Sequence, residues 1–295
     1  MAMEQSLGPA GLRRIEHVAA EAPLEEMVAL YERDRVLVID ELADAEMLRE
    51  LRAELEFPLA ATPRSAREDD FMGLKTQRLS SLVAHIPTCR PWVAHPLILK
   101  LMERIVGKKG NIQLNATQIL VLHPGERKQR LHRDLWVWKD LQLSPAVEYE
   151  VNCMWALSDF TVENGATHIV PDSFDLPDPT NIDDGIELED GRLPDGRALS
   201  DLDTLQTVMT AGSVCLWSGA VYHGGGENGS DSPRMGMTLS YTPVGLRQEE
   251  NQFLVVPPEV ARELPEPLQK LLGYELGNYA LGFVDGMQSP MTLLR

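Results

Sequence analysis

The chain predicts a mainly β fold with flanking helices, a barrel or sandwich entered through a helix-rich segment. Three observations carry that expectation. In the first hundred residues apolar side chains recur at three and four spacing, the period of an amphipathic helix. From about residue 111 the period becomes two, that of a strand. The period-two segments then follow one another through Gly-, Pro- and Asp-rich turns with no helix between most of them, which argues against a parallel α/β sheet.

Taken in order, "PLEEMVALYERD" (23–34) and "DAEMLRELRAELE" (44–56) read as helices, with "RVLVID" (35–40) a short strand between them. "HPLILKLMERIVG" (95–107) is a further helix, with Gly107 placed as a C-terminal stop. "IQLNATQILVLHP" (112–124) opens the strand-rich region. In "VEYEVNCMWALSDF" (147–160) the odd positions Val147, Tyr149, Val151, Cys153, Trp155 and Leu157 are apolar, while the even ones begin Glu148, Glu150, Asn152. That pattern predicts a strand with one buried face. "TVMTAGSVCLWSG" (207–219) and "RMGMTLSYTPV" (234–244) read the same way. The organisation expected is one domain over 1–295: a helix-rich part at 1–110, a barrel core at 111–245 and an extension at 246–295. Within the core, the acidic, Pro- and Gly-rich segment 172–203 is either a solvated excursion or a lid over a pocket.

Over 295 residues the formal charge is −18, which disfavours nucleic acid and anionic membrane as partners. No apolar run approaches the length of roughly 18 residues that spans a bilayer. The opening stretch lacks the apolar core of a signal peptide, and three scattered cysteines, Cys89, Cys153 and Cys215, make no disulfide framework. A cytoplasmic location is expected.

The chemistry sits in "QRLHRDLWVWKD" (129–140). Its His-Arg-Asp-Leu resembles a kinase catalytic loop, but Lys139 stands where that loop has its metal-binding Asn and no Asp-Phe-Gly follows. "YHGGG" (222–226) resembles the oxyanion glycines of lipases, but there is no G-x-S-x-G nucleophile elbow. A metal site accounts for both motifs. Residues two apart on a strand share a face, so His132 and Asp134 would project together, with Arg133 turned away and Trp136–Trp138 continuing the strand. An imidazole beside a carboxylate is two-thirds of the facial triad that binds ferrous iron. His223, after the apolar run "SVCLWSGAVY" and before glycines that leave room for small ligands, is the candidate third donor. His17, His85, His95, His123 and His168 lack such a setting and read as structural. Eleven positions beyond His223, Arg234 opens a strand with a forked cation suited to a carboxylate.

With these residues in hand, the chain resembles the phytanoyl-CoA dioxygenase family of iron(II)- and 2-oxoglutarate-dependent oxygenases. The match runs from "YERDRVLVIDELADAEMLRELRAEL" to "RMGMTLSYTP", with "LHRD", "NGATHIVPDSF" and "YHGGGENGSDSPR" as its motifs. The resemblance implies a double-stranded β-helix, the jelly-roll or cupin-like barrel, with iron at its mouth. It implies His132, Asp134 and His223 as iron ligands and catalytic centre, and Arg234 on the far carboxylate of 2-oxoglutarate. It adds Gln118 and Thr167 as further cosubstrate contacts. The cofactors implied are Fe(II), 2-oxoglutarate and dioxygen, with ascorbate as a stimulant; the partners are a small-molecule substrate and a second copy in a homodimer. The reaction implied is oxidation, foremost hydroxylation, of a small and largely apolar organic substrate, with 2-oxoglutarate decarboxylated to succinate and CO2. An intact Asp134 argues for oxygenation, since related halogenases lack that carboxylate. The chain departs from the family at "PDSF" (171–174), where Phe174 replaces a polar residue, and its long tail resembles members that tailor terpenoids and alkaloids. Trp155 reads as core or pocket, and Met72, Trp136, Trp138 and Phe174 as pocket, lid or packing. Two competing readings are a non-catalytic binding or sensor barrel and a cupin-type metal enzyme without 2-oxoglutarate. The complete ligand set with Arg234 counts against the first, and Arg234 with Gln118 against the second.

Overall fold

The change of period near residue 111 marks the passage from helices into sheet. The computed structural model describes residues 14–63, 71–107, 111–141, 143–144, 147–180 and 191–295. Before the barrel come β1 (His17–Ala19), α1 (Leu24–Asp34), β2 (Val36–Asp40), α2 (Ala45–Ala61), β3 (Thr76–Ser80), the single turns α3 (Leu82–His85) and α4 (Arg90–Val93), and α5 (Pro96–Ile105). The barrel strands are β4 (Ile112–Leu122), β5 (Val151–Ala156), β6 (His168–Ile169), β7 (Leu205–Gln206), β8 (Val214–Ser218), β9 (His223–Gly224) and β10 (Arg234–Pro243). The extension carries α6 (Gln252–Val255), α7 (Pro258–Ala261) and α8 (Glu266–Leu271).

Seven strands make one sheet in the order β1-β2-β8-β5-β10-β4-β3, and three make a second in the order β7-β6-β9. This is the double-stranded β-helix, or jelly roll. Side-chain alternation divides the large sheet between two cores. One face, carrying Leu37, Ile39, Leu114, Val151, Cys153, Trp155, Leu216 and Leu239, packs under the helices against Met27, Leu51, Leu55, Ile98 and Leu101. The other, carrying Val36, Val38, Met154, Ala156, Cys215 and Trp217, meets Ala166, Ile169, Met209 and Val221 from the small-sheet side. Residues of the extension, among them Val256, Leu268 and Tyr274, join the first core.

Several local expectations change. Strand β5 begins at Val151 rather than Val147, and all six of its residues are buried. Its polar face was expected in solvent; Glu148, Glu150 and Asn152 are instead buried, because both faces of a central barrel strand are covered. Trp136–Trp138 do not continue a strand. They belong to a 3-10 turn, Asp134–Trp138, that bends the chain immediately after the metal motif. Helix α5 ends at Ile105 with Val106 as its cap, and Gly107 is absent from the left-handed glycines, so the stop is not the glycine device expected. Trp155 packs edge-on against Trp92 in the first core, and Phe174 lies against the second core, with the Arg35 guanidinium over its ring. Among the described residues of 172–203, Leu193 and Leu199, with Leu176 and Leu202 packed on them, form a small third cluster with Leu131, Val170 and Tyr222. Residues 181–190 of that segment lie outside the described residues. Among the described residues no helix is long and apolar enough to cross a membrane.

Candidate metal centre

The two histidines that the sequence separates by ninety-one positions are direct cross-strand neighbours. The His132 N–H donates to the His223 carbonyl at 2.9 Å, and the His223 N–H donates back to His132 at 3.0 Å. Their rings stand 4.4 Å apart. Each ring donates its Nδ1–H to the carbonyl two residues earlier, His132 to Arg130 at 3.0 Å and His223 to Val221 at 3.1 Å. A carbonyl can only accept, so both rings are fixed as the tautomer whose Nε2 lone pair is free for a metal.

Asp134 completes the group from the first residue of the 3-10 turn. Its Oδ2 lies 3.3 Å from His223 Nε2, and its Oδ1 lies 3.8 Å from His132 Nε2. One donor atom from each residue falls within a 4.8 Å set. Asn152 donates to Asp134 Oδ2 at 2.8 Å and so fixes the carboxylate plane. Burial, and next the His223 ring, push the His132 imidazolium down to about 4, against the opposing pull of Asp134. The ring is therefore neutral at pH 7. Two imidazoles and one carboxylate form the donor set that suits non-haem iron(II).

These donors line a cavity of about 800 Å3 between the two sheets. All six residues that the sequence nominated, His132, Asp134, His223, Arg234, Gln118 and Thr167, line it. Arg234 is 2% exposed, with its guanidinium 4.2 Å over the Phe160 ring. Its Nε and Nη1 have no hydrogen-bond partner. Burial, with Arg78 adding repulsion, lowers its pKa to about 9. A buried, under-satisfied guanidinium on a cavity wall is chemically incomplete until an anion reaches it. Gln118 sits within the sheet, not on an edge strand; its Oε1 accepts from Arg78 at 2.5 Å and its Nε2 donates to Ser80 at 3.2 Å. Thr167 is 3% exposed, one residue before β6. Met72 and Trp136 also line the cavity; Trp138, Trp155 and Phe174 do not, nor does any described residue of 172–203.

The glycines after His223 serve packing as well as space. A Cβ on Gly224 would stand 2.9 Å from the Gln129 carbonyl, and one on Gly226 only 2.6 Å from that of Ala166. Gly225 and Gly226 do face the cavity.

Sequence reading missed four contributors. Arg78 lies on β3, a five-residue strand too short to announce itself. Asn152 on β5 and Glu150 just before it belong to the alternating polar positions read as solvated. Glu150 is held well above the usual carboxylate range by burial first, then by Asp134 and Glu249. Asn115 donates to both carboxyls, to Glu150 at 3.1 Å and to Glu249 at 2.7 Å. One part of the cavity wall thus carries guanidiniums and another carries carboxyls. The fourth, Trp217, sets its ring 5.0 Å from that of His223. A strand-face argument counts it only as apolar.

Comparison with known proteins bears on this geometry. The multifunctional dioxygenase ausE of Emericella nidulans is 28% identical over 275 residues, covering 91% of this chain and 89% of that protein. Dioxygenase aneA of Aspergillus aculeatus is 29% identical over 269 residues, covering 88% and 85%. The epimerase SnoN, solved with Fe3+, α-ketoglutarate and nogalamycin RO, superposes with a TM-score of 0.61 at 25% identity, over 74% of this chain and 83% of SnoN. HygX from Streptomyces hygroscopicus, solved with nickel, 2-oxoglutarate and hygromycin B, shares the fold at a TM-score of 0.57 and 17% identity, over 76% and 88%. The family model of phytanoyl-CoA dioxygenase matches residues 31–236, from helix α1 through the first residues of β10 and so across every metal and arginine position described above; the chain belongs to the phytanoyl-CoA dioxygenase family.

Proposed function

We propose that in this iron- and 2-oxoglutarate-dependent oxygenase His132, Asp134 and His223 hold the iron, Arg234 binds the far carboxylate of 2-oxoglutarate, and Gln118 and Thr167 complete the cosubstrate site. The observation that carries the reading is the shared wall: three donor atoms within 4.8 Å of one another and an under-satisfied buried guanidinium line one cavity. Iron with bound 2-oxoglutarate and dioxygen supplies the oxidising power, and the oxo acid leaves as succinate and CO2.

The chain's own residues do the rest by position. The two backbone carbonyls hold the imidazoles with Nε2 inward, and Asn152 keeps Asp134 from rotating away. Arg234, desolvated and short of hydrogen-bond partners, would gain a charge-matched acceptor when a carboxylate reaches its guanidinium. Leu120, Leu122, Met154 and Trp217 wall the cavity with apolar surface and keep bulk water from the reacting atoms.

The substrate proposed is a small organic molecule of natural-product size with a largely apolar body. The cavity is in the range of ligand pockets for such molecules and is larger than 2-oxoglutarate alone requires. Glu150, Glu249 and Asn152 favour a substrate that also offers a hydrogen-bond donor. Hydroxylation is the proposed outcome, with Asp134 present as the third ligand.

The test is an anaerobic Fe(II) titration of the apoprotein with 2-oxoglutarate, following the weak visible charge-transfer band of the chelate, beside His223→Ala and Arg234→Ala. The expected result is a band that requires His223 and needs far more 2-oxoglutarate without Arg234. No band from folded wild-type protein would refute the reading.

A further inference from the structure

Arg133, between the two ligands of the His-x-Asp motif, points away from the metal donors into a socket of its own. The side chain is only 8% exposed. Its guanidinium lies 4.1 Å over the ring of Tyr222, the residue before His223. Nη2 donates to the carbonyls of Ser173 at 2.5 Å and Leu176 at 2.7 Å, and Nη1 to Asp178 Oδ1 at 2.8 Å. The same Asp178 oxygen accepts from Trp136 Nε1 at 2.9 Å. Tyr222 closes the ring of contacts: its N–H donates to Ser173 Oγ at 2.8 Å and its hydroxyl to the Pro177 carbonyl at 3.0 Å.

Every one of these bonds joins segment 173–178 to one of the two stretches that carry the proposed ligands, 132–136 and 222–223. Behind them Leu193 and Leu199 pack against Leu131 and Tyr222. None of residues 173–178 lines the cavity, and they are tied to the ligand-bearing stretches by Arg133, Trp136 and Tyr222 together.

We infer that Arg133 is a positioning residue that locks the His132–Asp134 stretch to the His223 stretch through segment 173–178, so that this short segment works as a buttress for the metal site. The inference rests on the ligand assignment above. A fork with donors in several directions is needed to reach two carbonyls and a carboxylate while stacking on a ring, which an ammonium cannot do. Loss of the lock loosens the Asp134 stretch relative to the His223 stretch, although no ligand atom is removed. Groups that orient metal ligands typically cost 10- to 100-fold in metal affinity when altered.

The experiment compares wild type, Arg133→Met, Arg133→Lys, Asp178→Ala and Leu199→Ala. The readouts are the Fe(II) midpoint, the position and intensity of the anaerobic Fe(II)–2-oxoglutarate band, and the Tm of the metal-free protein. Expected is a rise in the Fe(II) midpoint of about tenfold or more for Arg133→Met, with partial rescue by Lys. Asp178→Ala should move the midpoint less, in the same direction; because Asp178 is 58% exposed it carries the test if Arg133→Met fails to fold. Leu199→Ala should lower the Tm and leave midpoint and band as in wild type. Wild-type midpoints and bands in folded Arg133→Met and Asp178→Ala would overturn the inference, as would a Leu199→Ala protein whose midpoint moves as far as theirs. Absence of the band from wild type would instead overturn the oxygenase reading, which keeps the two failures apart.

Discussion

In the proposed site a single side chain would trade stability for function. Arg234 is charged, buried and short of partners before any ligand arrives. Arg234→Met should therefore leave the metal-free protein as stable as wild type or more so, while raising the KM for 2-oxoglutarate about 10- to 100-fold, from charged hydrogen bonds of about 1.5–3 kcal/mol. Thermal melts and steady-state kinetics on one preparation decide it, and a large loss of apoprotein stability would contradict the account. Glu150 makes the complementary case. Its acid is held above 4.5 in the folded chain, so above that pH the unfolded chain ionises while the folded one keeps its proton, and stability falls as pH rises. Glu150→Gln should raise the Tm of the metal-free protein at pH 7–8, with the gain fading below about pH 4.5. A gain that persists unchanged at low pH would mean that packing, not ionisation, is responsible. The candidate donors at 132, 134 and 223 and the cation at 234, which the fold brings to one cavity, could be nominated from sequence because each is of a chemically special type at a fixed interval. Arg78, Asn152 and Arg133 were not, since their roles depend on which neighbours the fold delivers.

At the scale of elements, the helices and long strands follow from periodicity, and the departures have a common origin. Trp136–Trp138 carry strand-forming residues, yet they lie in a 3-10 helix that starts at Asp134, where the Leu135 N–H donates to the Gly219 carbonyl. Strand β5 alternates as a half-buried strand should, but its polar face lines a cavity rather than the solvent, and local pattern cannot tell the two apart. Helix α2 begins as its sequence promises, with Asp44 accepting from Glu46 and Met47. It contributes to the first core only, so Leu51→Ala should cost about 2–5 kcal/mol of stability while leaving the 2-oxoglutarate KM of the folded protein unchanged. Chemical denaturation with kinetics checks both halves. A changed KM would mean that the helix layer and the cavity are mechanically coupled.

At the scale of the whole molecule, a chain of net charge −18 must admit a dianion. Long-range repulsion acts over exposed charges and is screened by salt, whereas the attraction of buried Arg234 is short-range and screened far less. Raising ionic strength from about 0.01 to 0.15 M should lower the 2-oxoglutarate KM, by less than about tenfold. A KM that climbs with salt would show that exposed cations guide entry.

Alternation made a mainly β barrel or sandwich with flanking helices readable, because such sheets are built from a repeated local rule, while the jelly-roll topology came only with the family resemblance. What alternation could not announce is that one sheet serves two masters. On β5, Val151, Cys153 and Trp155 face the helices, while Asn152 and Met154 face the reaction chamber. Inheritance can therefore edit the two sets separately. Changes at Met154, Leu120 or Thr238 reshape what the chamber accepts while the opposite residues go on holding the barrel. A library confined to that inner register would search new chemistries from a scaffold that stays put.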